Sequence, residues 1–63
     1  MKEQLRALRE AANLTQKEAA SKLGVVQSAV SMWETGESKP KTEMLPKIAE
    51  VYECNISKLF SSE

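Results

Sequence analysis

The stretch LTQKEAASKLGVVQSAVSMWETG, residues 14–36, decides how this chain is read. Thr15 and Glu18 stand three apart, the spacing of a capping box, so a helix starts there. Leu14, just before that cap, is placed to staple onto Ala19. Ala19, Ala20 and Leu23 follow as the buried face, and Gly24 ends the helix where a positive φ is needed. A second helix runs from about Gln27 to Glu34, with Gly36 past its end. Val26, Val30 and Trp33 are expected to share its inner face, with Ala29 beside them and Val25 as a further anchor. Two short helices thus meet across a tight turn. Ala20 is small enough for them to cross closely, and Gly24 lets the chain reverse.

The outer side of the second helix is unusual. Gln27, Ser28, Ser31 and Met32 lie at i, i+1, i+4 and i+5 and form one exposed face. From Gly24 to Trp33 there is no charged residue. An ordinary surface helix carries Lys and Glu. A helix facing base edges uses Gln for adenine, Ser in either hydrogen-bonding sense, and an apolar group for the thymine methyl. The helix-turn-helix arrangement, whose second helix enters the major groove, is the reading that unites these features.

The flanks extend an all-α reading. Lys2–Ala12 carries Leu5, Leu8 and Ala12 on one stripe, and Asn13 is a stop that tolerates the left-handed conformation. A helix is predicted over Thr42–Tyr52 with Leu45, Ile48, Ala49 and Tyr52 inside, and Pro46 is tolerated in its first turn. Asn55 caps a short fifth helix bearing Ile56, Leu59 and Phe60. The tail 61–63 is expected to fray.

Composition narrows the function classes. The chain has 63 residues, a length for one domain spanning 1–63. No apolar run is long enough to span a bilayer and the start is charged throughout, so no membrane partner and a cytoplasmic location are expected. There is no His and one Cys, which leaves no ordinary zinc site and no intrachain disulfide. Cys54 reads as a small buried hydrophobe. No nucleophile–base pair, phosphate loop or carboxylate pair points to an enzyme, a cofactor or a small-molecule substrate.

The run in residues 14–36, followed by KPKTEMLPKIAEVYECNISKLF, resembles the Cro/phage-repressor-type (Xre) helix-turn-helix domain over about Leu5–Phe60. The resemblance rests on Leu14-Thr15-Gln16, Ala20, Leu23-Gly24-Val25, Val30, Trp33-Glu34 and Gly36 in that order. It implies a compact five-helix, lambda-repressor-like bundle, with the helix-turn-helix at about 15–35, that binds a double-stranded DNA operator as a homodimer. It implies base-reading by Gln27, Ser28 and Met32, with Ser31 between them. It implies a phosphate contact and a brace by Gln16, and phosphate contacts by Thr35, Lys39 and Lys41. It further implies a structural salt bridge between Arg9 and Glu34. Three positions depart from the family pattern. Val26 replaces a capping Ser or Thr, a loss of about 1 kcal/mol. Thr35 replaces the usual Asn, and Glu53 stands where Gly is frequent.

Nine Lys+Arg against nine Asp+Glu make the net charge zero. Binding depends on placement rather than on the sum. Lys17, at the start of the first helix of the pair, joins Lys39 and Lys41 on the expected binding side, with Glu50, Glu53 and Glu63 toward the far end. Ile56, Leu59 and Phe60 close the core on one reading; on the other, part of that stripe forms a dimer face with Tyr52 (Tyr52, Ile56, Leu59 and Phe60). The expected function is a sequence-specific DNA-binding regulator, more often a repressor. The alternative is a protein-binding module such as an antitoxin of the same fold, with a toxin or regulator as partner.

Overall fold

In the computed structural model the backbone is described for residues 2–60 and side chains for 3–59. The expectations for the tail 61–63 and for the Phe60 side chain lie outside this range. Among the described residues the chain is all-helical: α1 (Lys2–Ala11), α2 (Gln16–Leu23), α3 (Gln27–Thr35) and α4 (Leu45–Val51), with two 3₁₀ stretches at Thr42–Met44 and Ile56–Phe60. The fifth helix is therefore a 3₁₀ stretch rather than an α-helix. No described helix is long and apolar enough to cross a membrane.

Local chemistry explains each boundary. Thr15 and Glu18 form the full capping box. Glu18 N–H donates to Thr15 Oγ1 at 3.0 Å, and Thr15 N–H donates to Glu18 Oε1 at 2.9 Å. The Thr15 N–H, and after it the Thr15 hydroxyl, hold the Glu18 carboxyl below its ordinary range. Gly24 closes α2 at φ 74, with Val25 N–H reaching Ala20 O at 3.0 Å. Asn13 closes α1 the same way at φ 61, with Leu14 N–H reaching Arg9 O at 3.2 Å.

The predicted helix over Thr42–Tyr52 divides at Met44. Pro46 has no N–H to give Thr42 O, which accepts from Leu45 instead, so the entering turn tightens to 3₁₀. The chain leaves α4 through Glu53 at φ 55, with Cys54 N–H on Ala49 O at 3.0 Å. Glutamate thus adopts the turn that glycine makes without strain. Asn55 Oδ1 accepts from Ser57 N–H at 3.2 Å and starts the last stretch.

Helix α3 packs on α2 and α1, α2 packs on α4, and the 56–60 stretch closes against α4 and α1. The core is Leu5, Ala19, Ala20, Leu23, Val30, Trp33, Leu45, Ile48, Ala49, Tyr52 and Leu59. Ala20 is 3% exposed, as the close crossing of α2 and α3 requires. Two expectations are corrected here. Tyr52 and Leu59 are 3% and 0% exposed, so they belong to this chain's own core and cannot form a dimer face, while Ile56 is half-buried. Val26 is 67% exposed and lies off the inner face of Val30 and Trp33. As the extended cap residue at φ −79, ψ 153 it does not follow the helical wheel.

The Glu53 turn sets a stability test. A left-handed non-glycine residue costs about 1–2 kcal/mol, and glycine gives back part of that through the freer unfolded chain. Glu53→Gly is expected to raise the unfolding free energy by up to about 1 kcal/mol in urea denaturation. Gly24→Ala, at a position with open space around its Cβ but φ +74, is expected to lower it.

Candidate nucleic-acid interface

The site is built on α3. At about 100° per residue, Val30 and Trp33 define the inner side. Ser28, Ser31, Met32 and Thr35 fall on the opposite arc, and Gln27 stands at its edge, about 60° round from Val30. Gln27, Ser28, Met32 and Thr35 are exposed and Ser31 is half-buried. Glu34 is the charged residue of α3, and it is turned away from this face.

Glu34 lies in a knot that fixes where α3 sits. Arg9 Nε donates to Glu34 Oε2 at 2.6 Å and Arg9 Nη2 to Glu34 Oε1 at 3.1 Å. Arg9 Nη1 donates to the Leu14 carbonyl at 2.7 Å, and Gln16 Nε2 to Glu34 Oε1 at 3.1 Å. One ion pair thereby joins α1, the loop after it, α2 and α3. The two charged side chains keep 9% and 5% of their exposure. The bond to Glu34 raises the Arg9 guanidinium above its ordinary value, outweighing the opposing effect of burial. Sequence reading missed the Leu14 carbonyl, because a main-chain acceptor carries no residue signature.

Tyr52 stands at α4's end, close enough to feel the charges of Glu34 and Arg9. Its hydroxyl is buried, with no hydrogen-bond partner among the described residues. Burial, and then the Glu34 charge, push the phenol up to about 12. Cys54 is half-buried, and its thiol is likewise raised by burial.

The structure groups the proposed phosphate residues unevenly. Lys39 and Lys41 line one open groove with Val25, just before α3, Trp33, in its last turn, Pro40 and Met44. Lys17 is exposed in the first turn of α2 and is not part of that groove. Gln16 spends its amide on Glu34. The Thr35 hydroxyl faces the Met32 carbonyl at 3.2 Å and Glu37 Oε1 at 3.1 Å. Glu37 therefore sits at the end of α3, an acid beside the outward face of that helix.

Helix α3 thus presents polar and apolar groups outward, is clamped from behind by the Arg9–Glu34 pair and is flanked by a lysine groove. The helix-turn-helix family model matches residues 5–59. The chain belongs to the helix-turn-helix family. It is 39% identical over 61 residues to the HTH-type transcriptional activator BcrR of Enterococcus faecalis, covering 97% of this chain and 30% of that protein. It is 37% identical over 59 residues to the cryptic phage CTXphi transcriptional repressor RstR of Vibrio cholerae, covering 94% of this chain and 53% of that one. The chain thus spans about a third to a half of the length of these two relatives. No solved structure matches it significantly.

Two measurements test the knot. Arg9→Met leaves the Glu34 carboxylate buried beside Gln16 alone, and is expected to cost about 3–5 kcal/mol in chemical denaturation. The double variant Arg9→Met, Glu34→Met is expected to be more stable than Arg9→Met. Tyr52 gives an alkaline signature. Its phenol titrates near 12 folded but near the ordinary 10 unfolded, so the folded chain keeps a proton that the unfolded chain loses. That contribution is present below about pH 10 and disappears toward pH 12, at most about 2–3 kcal/mol. Tyr52→Phe is expected to remove this part of the alkaline loss, measured against the parent chain at each pH.

Proposed function

We propose that this chain is the DNA-reading domain of a transcription regulator, and that it inserts α3 into the major groove of a specific operator. One observation carries the reading. The outward face of α3 offers Gln27, Ser28, Ser31 and Met32 with no charge among them, on a helix fixed from behind by a buried ion pair. Such a face suits base edges, which are read by hydrogen bonds and methyl contacts. The printed names of the two relatives, one an activator and one a repressor, support regulation of transcription.

Lys39 and Lys41 follow α3 and supply phosphate contacts, with Lys17 at the start of α2 as a third. Gln16 acts chiefly as the brace on Glu34, and Thr35 contacts phosphate only where its hydroxyl leaves the Glu37 carboxylate. With so few cations, the non-specific attraction to DNA is small and specificity falls on α3. Two chains on a two-fold operator would double the contacts. Repression is the simplest output, because an occupied operator excludes other proteins from it.

The test is selection of a duplex from a randomised library, followed by binding titrations over a range of salt. Gln27→Ala is expected to lower affinity for the selected duplex by about ten-fold or more. Lys39→Ala and Lys41→Ala are each expected to flatten the salt slope by about 0.9. Failure to retain any duplex, with a stoichiometric protein partner bound instead, would replace this reading by that of a protein-binding module such as an antitoxin.

A further inference from the structure

Val26 is the most exposed large hydrophobic residue among those described, at 67%, and Met32 follows at 37%. Both sit on α3 or at its entrance. No side-chain hydrogen bond caps α3 at Val26. A serine or threonine there would accept from the first-turn N–H groups. The chain thus carries at this position a residue that helps neither the core nor the helix end. Its two γ-methyl groups stand free in solvent, directly before Gln27.

The N-terminal residues of a groove-entering helix are those that meet base edges. In the major groove the apolar feature of a base pair is the C5-methyl group of thymine. We infer that Val26 is a further specificity-determining residue, which packs its γ-methyl groups on a thymine C5-methyl beside the base pair read by Gln27. The inference rests on the insertion of α3 proposed above. Val26 and Met32 then stand near opposite ends of the reading face, about 9 Å apart along the axis, as two apolar readers with Gln27 and Ser28 as polar ones. Neither lies on the groove of Lys39 and Lys41, so this contact is independent of the phosphate contacts.

A methyl-deletion cycle on the DNA and the protein together tests it. The probe is the duplex selected by the parent chain, with each thymine replaced in turn by deoxyuridine, which removes only the C5-methyl. The parent chain is expected to lose about four-fold in affinity at one thymine of each half-site, the worth of one buried methyl group. Val26→Ala is equally unable to cap α3, so its fold is not expected to change, and circular dichroism checks this. It is expected to lose a similar factor on the thymine duplex and then to show no further loss on that deoxyuridine duplex. Equal sensitivity to the methyl group in parent and variant would assign the contact to another residue and overturn the inference. So would indifference of the parent to every thymine-to-deoxyuridine change. If the library yields no duplex at all, the DNA-reading function fails and this inference falls with it, a result distinct from a duplex bound tightly but without methyl sensitivity.

Discussion

The arrangement depends on one buried ion pair. Arg9 and Glu34 are 25 residues apart, yet their side chains meet in two hydrogen bonds with little exposure left. Charges so placed lose most of their hydration, which attraction recovers only if geometry and remaining hydrogen bonds are good. Here they are: Arg9 also donates to the Leu14 carbonyl, and Glu34 also accepts from Gln16. A hydrophobic pair of similar volume would fill the space but would not fix the angle at which α3 leaves α2. The directional bonds do that. They tie the C-terminal end of α3 to two other helices while the opposite side of the helix stays open.

The aliphatic core and the helix ends then follow. Ala19, Ala20 and Leu23 on α2 face Val30 and Trp33 on α3, α4 packs on α2, and the 56–60 stretch closes against α4 and α1. Small residues at the crossing let the two short helices approach. Left-handed residues at Asn13, Gly24, Gly36 and Glu53 end the four α-helices, so each reversal is made by one backbone conformation rather than by a long loop.

Much of this was legible in the sequence because the signals are local. Thr15 and Glu18 are three apart, Gly24 and Gly36 follow apolar stripes, and Asn13 stands after α1; each acts through bonds within its own turn. What escaped depends on distant parts of the chain or on details of bonding. Leu59 continues an apolar stripe, and only the closing of the last stretch against α4 and α1 makes it interior. Val26 obeys the wheel of α3 on paper, but a cap residue is extended and leaves it. The 3₁₀ entry at Thr42–Met44 turns on which carbonyl loses its donor to Pro46. On α3, the exposure of Gln27, Ser28 and Met32 follows from spacing alone. The engagement of Thr35 with Glu37 needed side-chain geometry.

The left-handed Glu53 also has an evolutionary meaning. A glutamate codon becomes a glycine codon by one change at its middle base, so the unstrained turn is a single mutational step away. Proteins settle just above the stability they need and leave such improvements untaken. Glu53 is then a marker of slack: a reserve that lineages can draw on when a destabilising change elsewhere, such as a new residue on the outward face of α3, must be accommodated.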